Sequence, residues 1–309
     1  MCTTNRFAII HKALKEKNNT ISVNQLCKTA HVSRSGYYRW RSAERKRAEK
    51  QKSDETDFRI ILDAYKYKGY DKGVKGIHMR LLHKGIRINH KKIRRLMHKF
   101  DLRCGIRKKS IFRRSTNISL AQNVVDNLLD REFKVHGVRK TLLTDFTYIP
   151  FRGGYVYLST IIDSYTSECL AYVLSKTNSS ELVVNTVKKL VKNDNSLIGK
   201  EIIIHSDQGC QYTSQEYKNI LEKYGFRQSM SRRGNCWDNA PQESFYGHMK
   251  DELMGYIRNC ESFAKLKKVI SKWFHYYNYQ RYQWKLGKMS PHEYYNSIID
   301  CNKNLKDVA

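Results

Sequence analysis

Three runs rich in β-branched and aromatic residues follow one another in the middle of the chain. They read TLLTDFTYIPF, YVYLSTIIDSY and ECLAYVLS, and a glycine pair separates the first two. Short runs of this composition, bounded by turn residues, are typical of β-strands. Three of them in succession predict an antiparallel meander.

Helical and strand patterns alternate after the meander. The segments SSELVVNTVKKLVKND and TSQEYKNILEKYG have helical periodicity, whereas EIIIHSD and RQSMS are short β-type runs. A helix over NAPQESFYGHMKDELM and an aromatic-rich helix from Phe263 through Tyr282 complete the pattern. The order βββαβαβα predicts an α/β fold with a central mixed sheet flanked by helices.

The first half of the chain contains helical patterns only. Residues 20–48 predict a short helix, a turn and a second helix with Ser33 as its N-cap, which together form a helix-turn-helix. A basic helical hairpin with an aromatic core is the structural alternative. The charged stretch Glu44–Glu55 is interpreted as a connection to a second helical unit, whose first helix has an apolar face at Phe58 and Ile61.

Two further helices belong to this second unit. One ends at Gly85, and the other has Asn89 as its predicted N-cap and an apolar stripe from Ile93 to Phe100. The basic tract RCGIRKKSIFRR then closes the first half. We expect a helix-turn-helix over 1–50, a second DNA-binding helical unit with a basic linker over 51–115, and a catalytic core with C-terminal helices over 135–300.

Basic residues outnumber acidic ones by a wide margin. The 309 residues include 58 Lys and Arg against 29 Asp and Glu, a formal net charge of +29. Residues 1–115 carry +23 of this charge and residues 116–309 carry +6. Because an excess of this size favours a polyanionic partner, DNA or RNA is predicted, the alternative being a generally cationic surface.

Cysteine usage and hydropathy predict an intracellular protein. The eight cysteines form no C-x-x-C pair, so neither a zinc knuckle nor a disulfide framework is indicated. No apolar run reaches the ~18–20 residues of a membrane span, and the first residues lack a signal-peptide core. We therefore expect a cytoplasmic protein with reduced thiols and no membrane partner.

Two aspartates interrupt or end predicted strands. Asp207 follows an apolar strand and precedes a glycine-containing turn, so it is expected at the carboxyl end of the strand, where chemistry is usual in such sheets. Asp145 lies within the first strand, where an acid is costly unless it is solvated, paired or metal-bound. The pattern alone does not separate Asp145 from Asp163, or Asp207 from Asp194.

A glutamate and a lysine share one face of the predicted late helix. Glu243 and Lys250 are seven residues apart, about two helical turns. In-line displacement at a phosphodiester needs two cations about 4 Å apart, and carboxylates must hold them. Together with the two aspartates, Glu243 would complete such a set.

The run from Ile204 to Lys250 carries the most specific motif in the chain. It contains IHSDQGCQYTS and SMSRRGNCWDNAPQESFYGHMK, with 35 residues between Asp207 and Glu243. Here, and in TDFTYI, YLSTIIDSY, YYNYQRYQW and MSPHEYY, the chain resembles the insertion-sequence transposases of the IS-three group, whose D,D-35-E signature has this spacing. The first half resembles more loosely the helix-turn-helix region of the group's second-frame product. Two departures are Leu142–Leu143, where relatives often have tryptophan, and DKGVKG, where YGYRR is more usual.

The resemblance implies a retroviral-integrase type of RNase H-like core that cleaves and transfers DNA strands at the terminal inverted repeats of an insertion sequence. It implies that Asp145, Asp207 and Glu243 are catalytic and hold two divalent cations, magnesium with manganese able to substitute. The implied partners are double-stranded DNA of the element ends and the target, further copies of the chain at synapsis, and an upstream-frame product fused to it or acting with it. A prokaryotic, nucleoid-associated location is also implied.

The residues expected to contact DNA surround the carboxylates or lie on the second helix of the helix-turn-helix. They are Lys250, Arg232, Arg233, Asn239, Gln242, Arg34 and Arg39. An exposed loop is the alternative for Arg232 and Arg233, and the aromatic stripe Tyr276–Trp284 is interpreted as core or interface rather than as a base-stacking platform. Two rival functions stay open, a DNA-binding regulator with an inert core and an RNase H-like nuclease acting on RNA–DNA hybrids.

Overall fold

The computed structural model describes residues 3–16, 19–70, 72–104, 124–130, 132–232 and 239–306. The chain forms two compact units, the first made of residues 1–64 and 89–103 and the second of residues 65–88 and 104–309. The chain therefore leaves the first unit and returns to it once.

The described residues up to 104 form a series of α-helices. They are α1 (Thr3–Lys15), α2 (Val23–Thr29), α3 (Arg34–Ser42), α4 (Glu44–Lys66), α5 (Val74–His83) and α6 (His90–Lys99). The Ser33 hydroxyl accepts a hydrogen bond from the Gly36 N–H at 3.1 Å, and the Asn89 side chain accepts one from the Lys91 N–H at 2.8 Å. Both predicted N-caps are confirmed, as are the two helices expected over residues 20–48.

Helix α4 corrects one prediction. The charged stretch Glu44–Glu55, expected to be a connection, is the first half of a 23-residue helix. Glu, Lys, Arg and Ala, which favour helices, fill this stretch, and Arg45 and Glu49 form an i,i+4 ion pair at 3.0 Å. Helix propensity therefore suffices here without a continuous apolar face.

Small apolar clusters hold the first unit together. The buried residues shared by α1, α2 and α3 are Phe7, Ile10, Cys27 and Tyr37. Between α4 and α6, the rings of Phe58 and Phe100 stack with centroids 4.3 Å apart. Ile93, Leu96 and Met97 are buried, which confirms the predicted apolar stripe of α6.

The second unit contains a five-stranded mixed sheet. Its strands are β1 (Thr141–Phe151), β2 (Gly154–Asp163), β3 (Cys169–Ser175), β4 (Ile202–Ser206) and β5 (Phe226–Met230), in the order β3-β2-β1-β4-β5. Strands β1, β2 and β3 pair antiparallel, whereas β4 pairs parallel with both β1 and β5. The predicted meander and the βββαβαβα order are confirmed.

Helices cover both faces of this sheet. They are α7 (Ser180–Asn193), α8 (Gln215–Tyr224), α9 (Ala240–Arg258), α10 (Phe263–Gln280) and α11 (Pro291–Lys306). Leu142 packs in the cluster that includes α7 and α8, while Leu143 packs in the cluster that includes α9 and α10. Adjacent residues of β1 thus serve opposite layers, because side chains alternate along a strand. Within the described residues, no helix has the length and apolar character needed to cross a membrane.

Candidate active site

Asp145 and Asp207 follow matched positions of two neighbouring parallel strands. Leu143 of β1 pairs with His205 of β4; Asp145 lies two residues further along β1, and Asp207 lies two residues after His205, just past the end of β4. Since neighbouring strands lie about 4.8 Å apart, this register places the two aspartates side by side at the carboxyl end of β4. Both aspartates are partly buried.

Each aspartate accepts one nearby backbone hydrogen bond. Asp145 Oδ1 accepts from the Phe146 N–H at 2.7 Å, and Asp207 Oδ1 accepts from the Gly209 N–H at 3.0 Å. A Cβ atom at position 209 would lie 3.0 Å from Asp207 Oδ1. Glycine therefore lets the turn fold closely against the Asp207 carboxyl group.

Burial and neighbouring charge raise the proton affinity of the two carboxyl groups. Burial raises the pKa of Asp145 well above its usual range, and the negative charge of Asp207 raises this pKa further. The charge of Glu243 acts in the same direction, while the Phe146 N–H and the Lys250 ammonium oppose it. Burial also raises the pKa of Asp207. The arrangement is a close pair of like charges, which a cation would stabilise.

Glu243 and Lys250 lie on α9, close enough to influence Asp145 electrostatically. Glu243 is in the first turn of α9 and is exposed, whereas Lys250 is half-buried. The Lys250 Nζ lies 4.8 Å from the centroid of the Tyr148 ring of β1. The structure thus places the predicted glutamate and lysine near Asp145.

Two buried side chains of α9, on either side of Glu243, anchor the helix to the sheet. Gln242 is fully buried, and its Nε2 donates to Thr160 Oγ1 at 2.5 Å. The Tyr246 hydroxyl donates to the backbone oxygen of Asp145 at 2.5 Å. Thr160 pairs with Asp145 across β1 and β2. Both bonds therefore end beside the first aspartate.

Gln242 was expected to contact DNA, and its burial assigns it to the sheet instead. Its side chain is 0% exposed, so it would reach DNA only if α9 moved away from β2. Asn239, also expected at DNA, is 6% exposed. Tyr246 was not singled out from the sequence, although it lies one helical turn after Gln242, which a search for buried polar i,i+4 pairs would find.

Three further predicted DNA contacts are on the surface. Arg232 is exposed and forms an ion pair with Asp130 at 3.2 Å. Arg34 and Arg39 are exposed on α3. Arg233 lies outside the described residues.

The two alternative aspartates have structural surroundings. Asp163 is fully buried and accepts from the Thr166 hydroxyl at 2.7 Å and from the Thr166 N–H at 3.1 Å. Asp194 accepts from the Ser196 hydroxyl at 2.7 Å. These bonds close local turns, so the structure distinguishes Asp163 and Asp194 from the pair at the β4 end.

The chemistry of the carboxylate pair fits a hard divalent cation. Magnesium prefers oxygen ligands, and Asp145 and Asp207 supply carboxylate oxygens from neighbouring strands. Glu243 is a further acid whose charge acts on Asp145. In the part of the chain that the structure describes, no three His, Cys, Asp or Glu side chains are already grouped closely enough to hold an ion. The pair is therefore formed, while the third acid stands on an adjustable helix terminus.

Known families and proteins match most of the chain. Two families described as Integrase core domain match residues 136–236 and 224–291, and an HTH-like domain matches residues 52–110. The putative transposase InsK for insertion sequence element IS150 of Escherichia coli is 33% identical over 92% of this chain and 97% of its own length. An uncharacterized transposase-like protein of Haemophilus influenzae is 38% identical over 69% of this chain and 95% of its own length.

A solved structure adds a fainter likeness. The catalytic core domain of BIV integrase is 16% identical, with a TM-score of 0.42, over 53% of this chain and 99% of that one. Similarity at this level is not evidence of function. The HTH-like match covers the second helical unit rather than residues 20–48.

Proposed function

This chain belongs to the IS-three group of insertion-sequence transposases, and we propose that Asp145, Asp207 and Glu243 form its catalytic centre. Members of this group are DDE-type polynucleotidyl transferases with an integrase core of RNase H-like fold. The protein accordingly cleaves DNA strands and transfers them at the terminal inverted repeats of an insertion sequence. The observation that carries the proposal for the site is the pair of partly buried aspartates with raised pKa values on adjacent parallel strands, Asp145 within β1 and Asp207 just after β4.

Divalent-metal dependence is general for the integrase-type core, and we assign two magnesium ions, replaceable by manganese, to this site. When bound, the ions would polarise the attacking hydroxyl and stabilise charge on the phosphate oxygens. Asp145 and Asp207 would hold them from the sheet. Glu243 would complete the ligand set by a rotamer change in the exposed first turn of α9.

Lys250 supports the same assignment through its charge. It is half-buried, and its ammonium group opposes the rise in the pKa of Asp145. A cation on the same face as Glu243 is well placed to contact a DNA phosphate beside the carboxylates. The proposed role of Lys250 is therefore to position the substrate backbone.

The DNA itself is proposed to be contacted by both helical units and by the edge of the core. We assign phosphate contacts to the exposed Arg34, Arg39 and Arg232 and also to Arg233, whereas the burial of Asn239, like that of Gln242, argues against a DNA contact there. Residues 1–50 and 51–115 would recognise the terminal inverted repeats, and residues 135–300 would carry the chemistry. Further copies of the chain would bring two element ends together at synapsis, with or without an upstream-frame product.

The test compares acid variants of the full-length chain on a duplex that carries the terminal repeat flanking its gene. Asp145→Asn, Asp207→Asn and Glu243→Gln should each lower magnesium-dependent cleavage at least about 100-fold, because each removes a proposed metal ligand. The melting temperature and DNA affinity should change little.

Glu216→Gln is the matched control, since Glu216 is an exposed acid in the first turn of α8. It should cleave like the unmodified chain. Full activity in any one of the three test variants would remove that residue from the proposed centre. Tight DNA binding by the unmodified chain without any metal-dependent nicking would instead support a DNA-binding regulator.

A further inference from the structure

A basic, aromatic groove lies within the second unit, on the side of α9 away from Glu243. We call it the α5–α10 groove. Residues that define it are Lys75, Arg80, Glu252, Arg281, Trp284 and Lys285. Its volume is about 460 Å³. Glu252 is nine residues after Glu243, which places it about 13 Å along the helix and half a turn around it.

The charge of the groove is positive and only partly compensated. Its lining contains five Lys and Arg side chains against one carboxylate, Glu252. That carboxylate accepts from Arg281 Nε at 2.9 Å and from Trp273 Nε1 at 2.8 Å, so Arg281 already balances its negative charge. The exposed Lys75 and Lys285 are left to attract an anion.

Arg80 is a second, independent observation that points to an anion. Its side chain is only 7% exposed, and its guanidinium group is held between the rings of Tyr67 and Tyr282, with centroids 4.0 and 4.6 Å away. One terminal nitrogen donates to the Gln280 backbone oxygen, but Nε is buried and has no acceptor among the described residues. A buried guanidinium N–H without an acceptor is costly, and an anion in the groove would satisfy it.

The start of α5 contributes donors to the same groove. Its N-cap is Gly73, which has no side chain to satisfy the N–H groups of the first turn, and Gly73 and Gly76 both line the groove. A Cβ atom at position 73 would meet nothing within 4 Å, so the surface there is open. A helix start beside Arg80 is well suited to a phosphate group.

Trp284 supplies an exposed aromatic face next to this anion site. It is 43% exposed, and the Nζ atoms of Lys75 and Lys288 lie 5.2 and 5.3 Å from its ring centroid. A flat aromatic face beside phosphate donors is the combination with which proteins bind an unpaired nucleotide. The expectation of core or interface for the stripe Tyr276–Trp284 holds for Tyr276 and Tyr277, which are buried, but Tyr279 and Trp284 are exposed.

We propose that the α5–α10 groove binds one unpaired nucleotide of a DNA strand, with the phosphate at Arg80 and the start of α5 and the base stacked on Trp284. This rests on the proposed function in that the strand belongs to the transposase's own substrate. Because the groove lies on the opposite face of α9 from Glu243, the bound nucleotide is not one of the two that flank the cleaved bond.

The test measures DNA binding by the full-length chain without divalent metal, so that cleavage plays no part in the readout. Two probes are compared, a blunt duplex and the same duplex with a short single-stranded overhang. Trp284→Ala should weaken binding of the overhang probe by roughly 5- to 150-fold, the range for loss of one base–aromatic stack, and binding of the blunt probe by less than about twofold.

Matched variants separate the groove from general surface effects. Tyr279→Ala removes an aromatic side chain of equal exposure, 43%, which does not line the groove, and should leave both affinities unchanged. Lys75→Gln should weaken the overhang complex and reduce its salt dependence by about one counterion, whereas Lys272→Gln, outside the groove, should not.

Several results would overturn the proposal. One is equal weakening of both probes by Trp284→Ala, and another is an overhang probe that binds no better than the blunt probe. A deoxynucleoside monophosphate that binds as tightly as the overhang DNA would assign the groove to a free nucleotide instead of a strand. Since none of these readouts uses cleavage, loss of the proposed catalytic assignment would leave them unaffected.

Discussion

Replacing Tyr246 with phenylalanine is expected to lower catalysis by loosening the link between α9 and β1. The hydroxyl of Tyr246 donates to the backbone oxygen of Asp145 at 2.5 Å and lies 2.9 Å from Thr160 Oγ1. Burial raises the pKa of Tyr246 well above its usual range, and the charge of Asp145 adds to this. The hydroxyl therefore stays protonated and remains a donor.

The size of the loss in stability follows from the hydrogen bond that the substitution removes. Without the hydroxyl, the Asp145 carbonyl loses a buried donor, a change that costs about 1–3 kcal/mol. Because Gln242 still holds Thr160, we expect the lower part of this range, about 1–2 kcal/mol, and a fall in melting temperature of about 2–8 °C. A small displacement of Glu243 should lower kcat about 10- to 100-fold, since catalytic groups need accurate placement.

Tyr217→Phe is the matched control for this prediction. Tyr217 is also fully buried, but its hydroxyl has no hydrogen-bond partner among the described residues. Its removal should leave stability unchanged or slightly higher. The assays are thermal melting, single-turnover cleavage and DNA affinity, with affinity expected to be the same in both variants. If Tyr246→Phe behaves like Tyr217→Phe, the anchoring role of Tyr246 is wrong.

Two further predictions concern the first unit. Asp54 is 3% exposed, and its ion pairs with Arg95 and Lys99 hold the pKa of its carboxyl group well below the usual range. The ionised carboxylate therefore stabilises the fold above about pH 4, and this stabilisation is lost as the pH falls further. Asp54→Asn should lower the unfolding free energy at pH 7 by about 1–3 kcal/mol and make that free energy less dependent on pH between pH 5 and 2. The control Glu49→Gln, in an exposed ion pair, should change the unfolding free energy by under about 0.5 kcal/mol. Equal pH profiles for Asp54→Asn and the unmodified chain would contradict this prediction. Replacing both Arg34 and Arg39 with alanine should lower the salt slope of DNA binding by about 2, and an unchanged slope would remove these arginines from the interface.

The sequence pattern predicted helices and strands well where neighbouring residues determine them. The run from Thr141 to Phe151 became a strand with those bounds, because β-forming residues fill it and glycines follow. The aromatic helix was expected to continue to Tyr282 but ends at Gln280. The Arg281 side chain there pairs with Glu252, 29 residues earlier in the chain, and a contact of that kind leaves no mark on local periodicity.

The sequence predicts the acids of the proposed site but not the contacts that support them. Asp207 could be placed at a strand end from its own neighbours, whereas the bonds of Gln242 and Tyr246 join residues 82 and 101 positions apart. The bond from Arg80 to Gln280 spans 200 positions. Burial of a polar side chain, and the partner that compensates it, depend on the tertiary fold and are not encoded in the spacing of a single helix.

The three acids are held by different physical means, and this determines which of them can adjust. Asp145 lies within β1 and Asp207 directly after β4, and the parallel pairing of these strands, which extends to Leu143 and His205, holds the two backbones side by side. Glu243 lies on α9 beside two anchored residues: Gln242 donates to Thr160 of β2, and the Tyr246 hydroxyl donates to the backbone oxygen of Asp145 in β1. The third acid is thus linked to the first through the side chain of Tyr246. The aspartate pair would therefore set the location of the proposed metal site, and the anchors of α9 would set how readily Glu243 completes it.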